Sequence, residues 1–216
     1  SPECFFRLDA NKEIKSEPIK GTRAKVGSFE DTQKIAENLR NNEKEKAELS
    51  MITDLIRNDM SHFCDRGSMF VENAAKVTEY ETVLQLSSLI KGKVLEKYSV
   101  FDVVRSLFPG GSITGAPKYR TIKWIDELED RSRGIYTGGI GYFSIDGASE
   151  FNIAIRTMLY NSNLNLYSFG SGGAIIYDSD PESEFNEILI KAYALIRAIN
   201  LAHYGKFENF CVEQLE

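Results

Sequence analysis

The sequence predicts an α+β fold, with largely antiparallel sheets and helices packed outside them. Three observations carry this. Short runs rich in aromatic and β-branched residues recur near the start, in the middle and after residue 135. Two long stretches, at about residues 31–60 and from residue 181, repeat their apolar residues every three to four positions. Strands and helices arrive in blocks and do not alternate strictly, which favours an antiparallel sheet over βαβ units.

In chain order, "CFFRLD" and "EIKSEPI" read as short strands around the turn "ANK". From Asp31 to about Met60 the pattern is helical, with a polar break at Asn41-Asn42. Residues 67–95 return to strand character in "GSMFVENAAKV" and "YETVLQLSSLIKGKVL". "SVFDVVRSLF" reads as a short helix ending at Pro109, and "GGSITGAP" as a loop. Pro117 suits the first turn of a helix "APKYRTIKWIDELE", with Thr114 as its cap. Three strands follow, "YTGGIGYFSI", "EFNIAIRTMLY" and "LNLYSFGSGGAII", turned at Asp146-Gly147 and Asn161–Asn163. A helix from Pro181 to about Ala202 closes the fold.

Composition narrows the function classes. The 216 residues fit one large domain or two small ones, and 42% hydrophobic content allows a sizeable core. A net charge of −6 argues against nucleic acid as a main partner. No apolar run approaches ~18 residues, so no membrane span is expected, and the opening "SPECFFRLD" lacks a signal-peptide pattern. Cys4, Cys64 and Cys211 are widely spaced without a C-x-x-C pair, and read as reduced thiols of a cytoplasmic protein. His62 and His203 are the only histidines; neither has a partner at metal-ligand spacing, and no G-x-S-x-G elbow is present. Any enzymatic chemistry therefore falls to carboxylates, lysines and a hard cation.

Two acidic pairs stand out. Glu45 and Glu48, three apart, fall on the same helical arc as Leu49, Ile52, Leu55 and Ile56, whereas Lys46, Ser50, Thr53 and Asp54 fall opposite. Glu184 and Glu187 repeat the spacing on the last helix, Glu184 and Lys191 flanking its apolar arc and Arg197 and Asn200 lying on the solvated side. Either pair alone is compatible with a solvated face. Together, an acidic pair on an apolar arc and its repeat suggest a shared cation, and Mg²⁺, hard and oxygen-loving, suits four carboxylates. The loop "GGSITGAPK" lacks the ending of a P-loop, so a carboxylate substrate is expected in preference to a phosphate. "FPGGSITGAPK", "YTGGIG" and "FGSGGAIIYDSD" read as tight turns or as backbone-donor nests. Arg156, on a strand face shared with Asn152, Ala154 and Met158, suits either an ion pair or a bidentate carboxylate grip. Lys20, in "SEPIKGTR", is either a solvated strand-end lysine or one aimed into a pocket.

In order and spacing, "SPE", "PIKGTR", "KAELSMITDLIRNDM", "GSMFV", "FPGGSITGAPK", "RGIYTGGIGYF", "FNIAIRT" and "DSDPESEFNE" resemble the chorismate-binding enzymes, from Ser1 to about Ala198. The resemblance implies that the chain is the C-terminal part of a single chorismate-binding catalytic domain whose N-terminal part is missing from residues 1–216. It implies Glu48 and Glu187 as inner Mg²⁺ ligands, with Glu45 and Glu184 acting through water, the ion holding the ring carboxylate of chorismate. It also implies Tyr136, Arg156 and the amides around Gly172 and Gly173 as the clamp on the enolpyruvyl carboxylate. Thr22, Ser112 and Lys191 match substrate-facing positions, and Glu3 matches the general acid for the departing 4-hydroxyl. "Pro-Ile-Lys-Gly-Thr" is similar to the aminodeoxychorismate-forming branch, where anthranilate synthases usually carry alanine at the place of Lys20. That branch implies Lys20 as a nucleophile at ring C2 and ammonia delivered by a separate glutamine amidotransferase subunit. Anthranilate or isochorismate formation, or a non-catalytic fragment, are the alternatives. Two departures from the family pattern are Gln85 in "LQLSS", where a histidine is common, and Ala174 in place of a third glycine.

Overall fold

The computed structural model describes residues 3–25, 27–81, 83–177 and 179–205; Cys211 lies outside them. The chain divides into two compact units, Ser1–Ala154 and Ile155–Glu216.

The first unit is built on a seven-stranded sheet of β1 (Cys4–Leu8), β2 (Glu13–Glu17), β3 (Ile19–Ala24), β4 (Phe70–Glu79), β5 (Val83–Lys93), β6 (Gly139–Phe143) and β7 (Ser149–Ile153). The strands run in the order β3-β5-β2-β1-β7-β6, with β4 also on β5, and every pairing is antiparallel. The expected antiparallel sheet is therefore present, with one difference that matters. The run "EIKSEPI" does not form one strand. Pro18 has no N–H to give the ladder, so β2 ends before it and a new strand, β3, carries Lys20 along β5.

Two helices, α1 (Phe29–Asn41) and α2 (Glu43–Met60), cover this sheet. The chain breaks between them because Asn42 ends one helix and caps the next, its Oδ1 accepting from Glu45 N at 3.1 Å. Ala36, Leu39 and Leu49 bury themselves against Leu84 and Leu86 of β5. Thr53, placed by spacing on the solvated side of α2, is buried; its hydroxyl donates to Leu49 O at 2.7 Å, so no polar group is stranded. The helices α3 (Val100–Leu107) and α4 (Lys118–Leu128) flank a loop holding one short 3₁₀ turn at Gly111–Ile113. Thr114 does not cap α4. Its hydroxyl donates back to Gly110 O at 2.9 Å, and Pro117 occupies the cap position without a side-chain bond.

The second unit contains a hairpin of β8 (Met158–Asn161) and β9 (Leu166–Phe169), a loop, and the helix α5 (Pro181–Tyr204). Here the expected strand "EFNIAIRTMLY" is split. β7 stops at Ile153, β8 starts at Met158, and Arg156 between them has φ +48. The left-handed backbone breaks the alternation that put Arg156 on a strand face. The helix α5 starts on Asp180, whose side chain accepts from Ser183 N, and ends at Gly205 with φ +63. Asn200, expected on the solvated side, is buried. No described helix is long and apolar enough to cross a membrane.

Candidate active site

Lys20 sits at an irregularity in β3. It pairs with Leu86, and Thr22 pairs with Gln85, so Gly21 is one residue more than the partner strand can match. This is a β-bulge, a device that re-aims neighbouring side chains. Gly21 has φ +60, which glycine adopts without strain. A Cβ there would lie 2.8 Å from Leu39 Cδ1 and 2.9 Å from Glu45 Oε2. The bulge thus presses the backbone onto the α1–α2 layer and seats the Glu45 carboxylate beneath it, where Arg23 Nη2 donates to Glu45 Oε1 at 3.0 Å. Gly21→Ala should cost about 1–3 kcal/mol through backbone strain and this crowding. The midpoint of urea unfolding measures it; an unchanged midpoint would mean the bulge does not need its glycine.

Glu3 lies just ahead of β1 and is buried, at 7% exposure. Burial pushes its carboxyl up from the usual range, while a hydrogen bond from the Ser112 hydroxyl and the nearby charge of Lys20 pull the other way. Two residues from distant parts of the chain therefore act on the Glu3 carboxyl, Ser112 through a hydrogen bond and Lys20 through its charge. Glu3 and Ser112 share a narrow crevice with Ser16, Asp59 and Gly111. Cys4 borders it too, but burial raises that thiol to about 11, and Cys64 to about 12, so neither is a ready thiolate.

Ser112 is delivered by the α3–α4 loop, which is held closely from several sides. A Cβ on Gly111 would meet Leu55 Cδ2 of α2 at 2.5 Å, and one on Gly110 would meet Ile153 Cδ1 at 3.2 Å. Arg133 Nη1 donates to Ile113 O at 3.0 Å while its Nη2 and Nε engage Glu129. Lys118 forms a partly buried ion pair with Asp59. Spacing alone did not single out Asp59 or Lys118, although both lie in motifs that carry the family resemblance, "KAELSMITDLIRNDM" and "FPGGSITGAPK".

The other expected site residues of this unit are placed as follows. Thr22 Oγ1 accepts a long hydrogen bond from Gln85 Nε2, 3.5 Å. Glu48 is half-buried, one turn after Glu45 on α2. Tyr136 is half-buried in the turn between α4 and β6; burial raises its phenol, with Arg133 opposing.

The second unit gathers five of its six candidates. Lys191 Nζ lies 2.5 Å from Glu187 Oε1 and donates to Gly172 O at 3.3 Å. Ser179 Oγ donates to Glu184 Oε1 at 2.6 Å, and Gly173 lies against the same carboxylate, its added Cβ falling 3.2 Å from Oε2. Gly172 and Gly173 thus fold over the first turns of α5 because Ser171, Ser179 and Lys191 bond the loop to the helix. Ala174 follows them in the same unpaired loop and is exposed. Arg156 is exposed, and among the described residues no hydrogen bond or ion pair joins it to this group.

The four glutamates offer only carboxylate oxygens, a donor set suited to a hard divalent ion. In neither unit alone do three His, Cys, Asp or Glu side chains come together at metal-binding distances among the described residues. Each unit brings two of the four.

Known proteins resemble the chain over nearly its whole length. The chain is 42% identical over 205 residues to the aminodeoxychorismate synthase of Streptomyces pristinaespiralis, covering 95% of this chain and 28% of that protein. It is 39% identical over 208 residues to anthranilate synthase component 1 of Aquifex aeolicus, covering 96% of this chain and 42% of that one. The crystal structure of anthranilate synthase component I from Streptococcus pneumoniae TIGR4 superposes with a TM-score of 0.77 at 32% identity, over 90% of this chain and 42% of that one. The chain therefore spans less than half the length of these relatives. The profile of the chorismate binding enzymes matches residues 1–197, and with that match the chain belongs to the chorismate binding enzyme family.

Proposed function

We propose that the chain is the catalytic portion of an aminodeoxychorismate synthase, which converts chorismate and ammonia to 4-amino-4-deoxychorismate. The observation that supports this most is the Glu3 carboxyl: buried, biased toward its protonated form, hydrogen-bonded by Ser112 and within reach of the charge of Lys20 on a bulged strand. An acid and an amine at one place are what a substitution at a ring hydroxyl needs.

In this mechanism the Lys20 amine attacks ring C2. The ring double bond shifts, and the C4–O bond breaks as Glu3 gives its proton to the departing hydroxyl, which leaves as water. Ammonia then attacks C4, the double bond returns, and the C2–N bond to Lys20 breaks. The proton lost by ammonia returns to Glu3. Ser112 holds the Glu3 carboxyl, and Thr22 and Lys191 face the substrate. Tyr136, Arg156 and the amides of Gly172 and Gly173 receive the enolpyruvyl carboxylate. We assign Mg²⁺ to Glu48 and Glu187, with Glu45 and Glu184 acting through water, where it would neutralise the ring carboxylate. Ammonia would come from a glutamine amidotransferase subunit.

The test is product identification. Full-length protein with chorismate, Mg²⁺ and ammonium should yield 4-amino-4-deoxychorismate on chromatography, and chelation should stop the reaction until Mg²⁺ is restored. Anthranilate or isochorismate as the product would overturn the branch, and no turnover at all would overturn the enzymatic role.

A further inference from the structure

We propose that the partly buried Asp59–Lys118 ion pair is a positioning latch that holds the α3–α4 loop so that Ser112 reaches Glu3. The proposal rests on the roles given above to Glu3 and Ser112. Lys118 is the first residue of α4, and Asp59 is the last but one of α2. Their side chains are 17% and 11% exposed. The Lys118 ammonium also donates to the carbonyl of Leu107, the last residue of α3, at 3.2 Å. One nitrogen therefore ties both ends of the loop 108–117 to the end of α2.

Helix stability does not account for the pair. A cation at a helix N-terminus and an anion near a C-terminus each oppose the helix dipole, and both occur here. Burying two charges is also costly compared with an apolar pair of similar size. What the pair does supply is a fixed point. Leu55, one turn before Asp59 on the same face of α2, packs on Gly111, so the helix grips the loop twice, immediately beside Ser112. Arg133 holds Ile113 O from the other side of that serine. Asp59, Glu3 and Ser112 line the same crevice, so a shift of the loop moves Ser112 relative to Glu3 directly.

The experiment uses the full-length protein carrying Lys118→Met, Asp59→Asn, Lys118→Arg, Ser112→Ala, and Ser112→Ala combined with Lys118→Met. Amide hydrogen exchange over residues 110–115 reads the latch without reference to activity. Lys118→Met and Asp59→Asn should each speed it by roughly tenfold while α1 is unchanged, and Lys118→Arg should restore slow exchange. In turnover, Lys118→Met should lower kcat by roughly 10–100-fold with a small change in KM, and should cost little more once Ser112 is already alanine. Unchanged loop exchange in the isosteric Asp59→Asn protein would overturn the latch. So would a full Lys118→Met penalty in the Ser112→Ala background. If the wild-type protein turns over no chorismate, the proposed function falls, and the exchange arm still decides whether the loop is latched.

Discussion

Replacing Lys20 with alanine in the full-length protein should lower formation of 4-amino-4-deoxychorismate by about 10³-fold or more, since no other group would form the covalent bond to C2. The fold should tolerate the change. Position 20 is half-buried on β3, its backbone pairing with Leu86 does not depend on the side chain, and the bulge is set by Gly21. The thermal midpoint should therefore move little while activity collapses, which separates chemistry from stability. Ammonia admitted to the vacated space would meet C2 directly, so a trace of anthranilate-like product is the expected residue of activity. Full retention of the wild-type product would end the nucleophile role of Lys20.

Glu3→Gln should lower kcat by about 10²–10⁴-fold, the range for loss of one general acid. The pH dependence follows from the direction of its shift. Burial raises the Glu3 carboxyl above its ordinary value of 4.5. In the proposed mechanism the acid form is the competent one, so wild-type activity should fall as pH rises through the folded value, and the variant should lack that limb. Stability carries the same sign. A carboxyl raised in the folded state stabilises the protein fully below its unfolded value, and that contribution is lost as pH rises through the folded value. Urea midpoints across this window should slope downward for wild type and less so for Glu3→Gln. Identical slopes would mean that Glu3 carries no raised pKa in solution.

Much of this was legible from spacing and motif. The break at Asn41-Asn42 was visible as a polar interruption, and the structure turns it into a shared cap. Glu45 and Glu48 were visible because charge on an apolar arc is costly. Arg156 was misplaced for a physical reason: alternation assumes that a strand continues, and β7 stops at Ile153 with Arg156 beyond it at φ +48. Thr53 was misplaced because a hydroxyl that bonds its own helix carbonyl can be buried at little cost. The Asp59–Lys118 pair was invisible to periodicity, because its two members lie 59 residues apart and meet only through the fold.

The extra residue in β3 divides labour between two adjacent positions. Gly21, at φ +60, lets the backbone detour around Leu39 of α1 and Glu45 of α2, while Lys20 keeps its pairing with Leu86. Deleting the glycine would give a smoother ladder and a misaligned amine, so regularity and reactivity are opposed at this spot. If Lys20 has the proposed role, exchanging it alone would change the chemistry without moving the glycine that shapes the strand. A lineage could pass from one product to another here through one codon, with no folding barrier to cross.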